Sequence, residues 1–283
     1  MADRLIDAYD AYLLDVDGLL VRDSAPISGA AAALATLNEA GRVCLLTNNS
    51  TRSRRQHAEQ LVRLGFDVRT DQVLSSSYLA AEYLRDAHGL ASVWVIGERG
   101  LRDELLAAGH RLADRPEVAD TVVVGMDRGI SYGSLADGLR ALRSGARFIA
   151  TNDDATFPTP GGVQPGAGAM VGALRGMGFA PSAVIGKPSP IAFRMALRAL
   201  GASSERVVVI GDRLETDIQG GHDAGLDTVL VLSGISSRED IDAFRIRPTW
   251  IAEDLAALVQ GVVSRPGPSS CESAATGGLD SSV

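Results

Sequence analysis

Lysine is almost absent from this chain of 283 residues: Lys187 is the only one, although Lys and Arg together number 27. The two cysteines and four histidines are too scattered for the ligand spacing of a zinc site. Two distant cysteines give no disulfide framework, so we expect a reducing, cytoplasmic location. No apolar run reaches about 18 residues, which argues against a membrane-spanning helix. The acidic residues within 1–7 argue against a signal peptide.

Acidic residues outnumber basic ones in the chain. Asp and Glu number 35, and the formal net charge is −8. An acidic chain binds nucleic acids and anionic membranes poorly, so we expect neither as a partner. A short basic cluster at Arg52–Arg55 lies in a helix-like stretch and is typical of a solvated helix start.

Apolar runs alternate with helix-like segments along most of the chain. The predicted strands are Ala11–Asp15, Val43–Thr47, Ser92–Gly97, Thr121–Gly125, Arg147–Asn152, Arg206–Asp212, Thr228–Ser233 and Thr249–Ala252. The predicted helices include Gly29–Ala40, Ser53–Leu64, Tyr78–His88, Leu101–Ala108, Leu135–Ser144, Ile191–Leu200 and Thr216–Ala224. Several strands are apolar without alternation, which indicates burial on both faces of a parallel sheet. The order predicts an α/β layered fold.

The chain divides by chemistry as well as by pattern. Acidic motifs that follow strands occur near the N-terminus and after about residue 184, whereas the α/β segment between them has none. We therefore predict a core of residues 1–78 and 183–263 and an inserted α/β domain of residues 79–182. Residues 264–283 are rich in Pro, Gly and Ser and are expected to form a disordered tail.

Asp15 and Asp17 follow the first predicted strand and are themselves followed by Gly18. In an extended strand, residues i and i+2 share a face and lie about 6.6 Å apart. Two carboxyls at this spacing can hold a reacting group, one attacking it and the other transferring protons. The alternative is a pair of solvated aspartates in a loop.

The second predicted strand ends in Thr47-Asn48-Asn49-Ser50. Hydroxyl, amide and free backbone N–H groups at a strand end can bind phosphate oxygens. The alternative is a polar loop that leads into an N-capped helix.

Lys187 stands between Gly186 and Pro188 at a predicted helix entrance. The segment does not have the Gly-x4-Gly-Lys-[Ser/Thr] pattern of a Walker loop. A lysine fixed there can neutralise a phosphate or a nearby aspartate. The alternative is an ordinary surface lysine at a helix start.

The apolar run before Gly211 ends at Asp212, and Asp217 follows five residues later. Ligands in α/β sheets bind at the carboxyl ends of strands. Asp15, Asp17 and Asp212 together supply the oxygen ligands that Mg²⁺ prefers. Asp217 is then expected to orient waters or Lys187 from just outside the metal site.

The order of these motifs resembles the haloacid dehalogenase-like hydrolase superfamily, and more closely its subclass IIA, the NagD-like p-nitrophenyl phosphatase type. The resemblance covers roughly residues 8–262. The segments that carry it are Leu46–Ser50, Ala150–Pro158, Pro165–Gly168, Gly186–Pro188 and Gly211–Ile218. It implies a Rossmann-like parallel sheet core with an inserted α/β cap domain.

The resemblance also implies a Mg²⁺-dependent phosphatase that hydrolyses small phosphate monoesters. Asp15 is implied as the nucleophile that forms an aspartyl-phosphate, and Asp17 as the group that protonates the leaving oxygen and then activates water. Asp15, the Asp17 carbonyl and Asp212 are implied as metal ligands. The expected partner is a small phosphorylated metabolite, and a homodimer is possible.

Phosphate binding is expected from Thr47, Asn48 and Lys187. An insert of this size placed over the strand ends would exclude water and contact the leaving group. Within its polar stretch at residues 152–168, Asn152 and Asp154 are the candidates for substrate specificity. The alternative is a plain helix–loop connection inside the insert.

Two other functions remain open at this point. A phosphotransferase or mutase of the same superfamily would use the same residues but pass the phosphoryl group to an acceptor other than water. A signalling receiver also holds a phospho-aspartate with acids, a Thr and a Lys. Receivers are far shorter, however, and lack a proton-transferring Asp two residues after the nucleophile.

Overall fold

The computed structural model describes residues 4–159 and 161–267 of the chain. The strands are β1 (Ala11–Leu14), β2 (Val21–Arg22), β3 (Ala25–Pro26), β4 (Arg42–Thr47), β5 (Val73–Ser75), β6 (Ser92–Ile96), β7 (Arg111–Leu112), β8 (Thr121–Val124), β9 (Arg147–Ala150), β10 (Thr156–Thr159), β11 (Gly162–Pro165), β12 (Ala183–Val184), β13 (Val207–Gly211), β14 (Asp227–Val231) and β15 (Trp250–Ala252). The α-helices are α1 (Ala30–Ala40), α2 (Arg54–Arg63), α3 (Ser76–His88), α4 (Arg99–Ala107), α5 (Tyr132–Arg143), α6 (Ala167–Gly176), α7 (Pro190–Leu200), α8 (Gln219–Asp223), α9 (Arg238–Phe244) and α10 (Leu255–Val259). A π-helical turn at Leu214–Ile218 leads directly into α8.

Two parallel sheets organise the fold. The larger has six strands in the order β15-β14-β13-β1-β4-β5, and the smaller has five in the order β12-β9-β8-β6-β7. Every strand pair in both sheets is parallel. The α/β class and the Rossmann-like parallel core are therefore confirmed.

The larger sheet is buried on both faces, as its apolar strands predict. Along β1, Tyr12 and Leu14 pack into one apolar cluster with α1 and α10, whereas Ala11 and Leu13 pack into another on the opposite face. The second cluster also contains Val93 and other side chains of the smaller sheet. The apolar core is thus continuous from one sheet to the other.

All the predicted strands are observed, with ends within two residues of those expected. The polar stretch of residues 152–168 holds the antiparallel hairpin β10–β11 rather than a plain helix–loop connection. Ala183–Val184 pairs with β9 in the smaller sheet, although the sequence analysis placed residue 183 at the start of the second core segment. A two-residue strand is too short to show a periodicity. The domain boundaries themselves stay a prediction.

The predicted tail falls largely outside the described residues. Ser264, its first residue, forms an antiparallel bridge with Ile251 at the edge of the larger sheet. The predicted disorder of the rest concerns residues 268–283, which the structure does not describe.

Candidate active site

The site lies at the carboxyl edge of the larger sheet. Asp15 directly follows β1, Thr47 ends β4 and Asp212 directly follows β13. Strand β1 pairs with β4 on one side and with β13 on the other, so the sheet extends from β1 in both directions. A crevice opens at such a point in an α/β sheet, and ligands bind in it.

The single lysine lies at the centre of this edge. The Nζ atom of Lys187 is 2.6 Å from Asp15 Oδ1 and 2.6 Å from Asp217 Oδ1, and all three side chains are buried. Burial disfavours the ammonium form, but the two carboxylates outweigh it and raise the pKa of Lys187. Lys187 is therefore held charged, and its place beside two carboxylates rules out the surface-lysine alternative.

Asp212 is completely buried and has one oxygen without a donor. Its Oδ2 atom accepts a hydrogen bond of 2.8 Å from the backbone N–H of Ile235. No group in the described part of the chain donates to its Oδ1 atom, although that atom is shielded from solvent. Burial and the charge of Asp217 raise the pKa of Asp212 to about 7. A buried carboxylate oxygen with no donor fits the coordination of a hard cation.

Glycines make room for these carboxylates. A Cβ atom added at Gly18 or Gly234 would collide with the Asp212 side chain, and one added at Gly211 would collide with Asp217. Gly18 also has a φ of 92°, which favours glycine because the backbone turns away immediately after Asp17.

The acidic groups fit a hard divalent cation. Carboxylate oxygens of Asp15, Asp212 and Asp217 all lie within 4.8 Å of one another. Both oxygens of Asp217 are already engaged, one by Lys187 and the other by the backbone N–H of Arg213 at 3.1 Å. Among the described residues, Asp15 and Asp212 each keep one oxygen without a donor and so fit a metal better than Asp217, both of whose oxygens are engaged.

The surroundings of Asp15 disfavour its ionised form. Burial raises the pKa of Asp15, Lys187 opposes the change, and the nearby carboxylates of Asp217 and Asp212 add to it. A bound cation would reverse this balance and keep Asp15 ionised.

Asp17 has a different environment from Asp15. Its side chain is exposed to the cavity above the sheet edge. The walls of the cavity nevertheless displace bulk water from it, which raises the pKa of Asp17, with Lys187 and Arg52 opposing the shift. A carboxyl that keeps its proton to higher pH is suited to general acid catalysis.

Thr47 and Asn48 both line the cavity, but they present different groups. The Thr47 hydroxyl oxygen accepts a hydrogen bond of 3.1 Å from the backbone N–H of Asn49. The Asn48 side-chain amide donates to Asp154 Oδ2 at 3.0 Å and to the backbone carbonyl of Lys187 at 2.9 Å. Any phosphate contact of Asn48 therefore falls to its backbone N–H.

The cavity has a volume of about 560 Å³ and is lined by residues at the strand ends of the larger sheet and by loops that follow strands of the smaller sheet. Asn152 and Asp154 line it from the smaller sheet's side, as the sequence analysis expected, together with Met126, Arg128 and Phe157. The structure thus brings all nine predicted site residues to one region, eight of them on the cavity wall and Asp217 behind it.

Sequence reasoning missed two contributors to this region. Ile235 supplies the backbone N–H that binds Asp212, and His57 Nε2 donates a hydrogen bond of 3.1 Å to the carbonyl of Asn49. Neither residue belongs to a pattern of spaced polar groups, so only the folded backbone identifies them.

A carboxylate–lysine cluster at the carboxyl edge of a parallel sheet, faced by a second α/β layer, is the arrangement of an α/β protein that acts on phosphoryl groups. Two family models match the chain: "Haloacid dehalogenase-like hydrolase" over residues 12–111 and "HAD-hydrolase-like" over residues 184–258.

Named relatives agree with the family models. An acid sugar phosphatase of Staphylococcus epidermidis is 37% identical over 253 residues, which are 89% of this chain and 97% of that protein. The structure of a p-nitrophenyl phosphatase from Archaeoglobus fulgidus has a TM-score of 0.85 and 35% identity, covering 89% of this chain and 98% of that one. A glycerol phosphate phosphatase from Mycobacterium tuberculosis in complex with magnesium has a TM-score of 0.85 and 34% identity, covering 93% and 80%.

The chain belongs to the haloacid dehalogenase-like hydrolases, in the NagD-like p-nitrophenyl phosphatase branch. It is an enzyme that hydrolyses phosphate monoesters. Within residues 4–159 and 161–267, no helix is long and apolar enough to cross a membrane.

Proposed function

We propose that this enzyme hydrolyses small phosphate monoesters with Mg²⁺ through an aspartyl-phosphate on Asp15. The observation that carries the proposal is the buried contact of Lys187 with Asp15, next to the unpartnered oxygen of Asp212. A carboxylate suited to be the nucleophile, a fixed positive charge and a second carboxylate that fits a cation are thereby joined at one edge.

Asp15 and Asp212 supply the carboxylates that fit Mg²⁺, and the family resemblance adds the backbone carbonyl of Asp17. Bound there, Mg²⁺ would offset negative charge on the phosphoryl oxygens. Residues of this protein carry out the two chemical steps that follow.

In the first step, a carboxylate oxygen of Asp15 attacks phosphorus while the bond from phosphorus to the leaving oxygen breaks. Asp17 gives its proton to that oxygen, so the leaving group departs as a neutral alcohol. Lys187 and the Thr47 loop hold the phosphoryl oxygens as the charge on them spreads.

In the second step, Asp17, now ionised, takes a proton from water. The water oxygen bonds to phosphorus and the bond to Asp15 breaks, which releases inorganic phosphate and restores the carboxylate of Asp15 and the protonated carboxyl of Asp17. Uncatalysed hydrolysis of phosphate monoesters is so slow that the site has to supply about 20 kcal/mol or more of transition-state stabilisation.

The cavity supports a small substrate. Its volume of about 560 Å³ suits a metabolite rather than a folded protein. The relatives are named for sugar, glycerol and p-nitrophenyl phosphates, which are all small molecules. Asn152 and Asp154 face this space and are proposed to influence substrate choice. The homodimer and the cytoplasmic location stay predictions.

The test compares Asp17→Asn with the wild type on two substrates. p-Nitrophenolate leaves without much help from an acid, whereas a glycerol leaving group needs a proton. We expect kcat/KM for glycerol phosphate to fall far more than kcat/KM for p-nitrophenyl phosphate. We also expect a burst of one p-nitrophenol per site, because Asp17 is needed for the second step. Equal losses without a burst would contradict the assignment.

The same assay separates hydrolysis from transfer. Phosphate released into water with no acceptor present supports the phosphatase. Release of p-nitrophenol that depends on an added alcohol or sugar, with the phosphoryl group recovered on that acceptor, would favour the phosphotransferase alternative.

A further inference from the structure

The chain returns from the smaller sheet to the core next to the site. The backbone N–H of Gly186 donates to the carbonyl of Thr151 at 2.7 Å. A Cβ atom at Gly186 would collide with Asn48 Oδ1 and crowd the Thr151 carbonyl. The segments around residues 48, 151 and 186 are thus in close contact, and the position of Gly186 has no space for a side chain.

Asn48 joins these segments through its amide. Its two N–H bonds go to the carbonyl of Lys187 at 2.9 Å and to Asp154 Oδ2 at 3.0 Å, so the donor capacity of Nδ2 is fully used. The opposite orientation of the amide would set its oxygen against a carbonyl and a carboxylate, which fixes the observed one.

Asp154 is fixed from its own side as well. The same Oδ2 atom accepts a hydrogen bond of 3.1 Å from Asn152 Nδ2, and Asn152 Oδ1 accepts one of 2.9 Å from the Thr151 hydroxyl. Asn152 and Thr151 are both buried, whereas Asp154 is half-buried. A continuous line of hydrogen bonds therefore runs from Thr151 to the backbone of the catalytic lysine.

We propose that Asp154 is a positioning residue, which holds Lys187 and the loop after β4 in place through Asn48. The proposal rests on the proposed function and adds a role to a residue that the sequence suggested only as a substrate contact. Asn48 directly follows Thr47, so one contact with Asp154 restrains both phosphate-binding segments.

The sensitivity of the site to small displacements gives this contact its importance. Lys187 Nζ lies 2.6 Å from each of two carboxylates, so a shift of the lysine changes both contacts. A misplacement of about 1 Å in a reacting constellation can cost about 100-fold in rate. Loss of the acceptor at Asp154 leaves the Asn48 amide held through the carbonyl of Lys187 alone, so that Asn48 and the segments it joins can shift.

The experiment measures Asp154→Ala and Asp154→Asn on p-nitrophenyl phosphate and glycerol phosphate, together with inhibition by inorganic phosphate. We expect Asp154→Ala to lower kcat about tenfold or more on both substrates, and to weaken phosphate inhibition severalfold. Asp154→Asn retains a side-chain oxygen that can accept both hydrogen bonds, and should stay within about threefold of the wild type.

Asp153→Asn is the matched control. Asp153 is the exposed neighbour, and its carboxylate pairs with Arg175 at 2.7 Å, away from Asn48. It loses the same charge one residue away, so its kinetics should match the wild type.

Inorganic phosphate has no leaving group, so its inhibition reports phosphate binding alone and distinguishes a positioning role of Asp154 from a contact with the leaving group. A change in KM for one substrate alone, with phosphate inhibition unchanged, would leave Asp154 with only the role in substrate choice and overturn the positioning role. An equal loss in Asp154→Asn and Asp154→Ala would also overturn it. If Asp154→Ala does not fold, Asp154→Glu displaces the carboxylate and should lower kcat on both substrates; unchanged kcat would overturn the proposal. Wild-type turnover tests the proposed function separately.

Discussion

The buried imidazole of His57 makes the stability of this enzyme sensitive to mild acid. His57 is 5% exposed and lies on α2, with its Nε2 atom 3.1 Å from the carbonyl of Asn49. Because a carbonyl only accepts, Nε2 carries the proton in the neutral ring. Burial lowers the pKa of His57 to about 4, and the hydrogen bond to Asn49 only partly offsets it.

The size of the effect follows from linkage. In the unfolded chain, the histidine titrates near its ordinary pKa of about 6.5. The unfolded state therefore binds a proton below that pH, while the folded state stays neutral until about pH 4. The stabilisation is complete above about pH 6.5 and is lost as the pH falls. Between pH 7 and pH 5, this one residue should remove about 2 kcal/mol from the free energy of unfolding.

The assay is denaturant unfolding of the wild type and of His57→Gln at pH 7 and pH 5. Glutamine can still donate to the Asn49 carbonyl but does not titrate. The wild type should lose about 2 kcal/mol more than the variant over this interval. The exposed His88 supplies the control, and the pH dependence of His88→Gln should stay within about 0.5 kcal/mol of the wild type. Equal pH dependence in the wild type and His57→Gln would refute the reasoning.

Three further outcomes follow from the site. Chelation by EDTA should abolish turnover and Mg²⁺ should restore it, whereas Ca²⁺ should bind without supporting comparable turnover because of its longer, looser coordination; full activity in excess chelator would contradict the metal assignment. Gly234→Ala pushes a methyl group against Asp212 and should weaken Mg²⁺ binding by about 1–3 kcal/mol, whereas Gly172→Ala, whose methyl group meets no atom of the described residues within 4 Å, should not. Equal affinities would show that Asp212 is not a ligand. The enzyme should release phosphate from sugar and polyol phosphates but not from a folded phosphoprotein; efficient release from the protein would contradict a covered site.

The sequence predicted the positions of the site residues that directly follow strands. Asp15 and Asp212 come after buried apolar runs, and parallel strands place their carboxyl ends at one edge, so their proximity follows from the pattern. Lys187 was distinguished by its isolation as the only lysine and by its flanking glycine and proline.

Contacts between distant segments lay beyond that reasoning. The hydrogen bond of Asn48 to Asp154 spans 106 residues, and no local propensity determines which partner an amide selects. The same holds for Gly234, whose missing side chain makes room for Asp212. The strand Ala183–Val184 has only two residues, and it is defined by its partner β9 rather than by its own pattern.

The measurement that tests the central claim most directly is the turnover of purified Asp15→Asn. Asparagine keeps the size of the side chain and leaves Lys187 paired with Asp217, so the fold should survive, as the unfolding transition can show. Without a carboxylate nucleophile, turnover should fall by several orders of magnitude. A loss smaller than about tenfold, which corresponds to only about 1.4 kcal/mol, would contradict the assignment of Asp15 as the nucleophile.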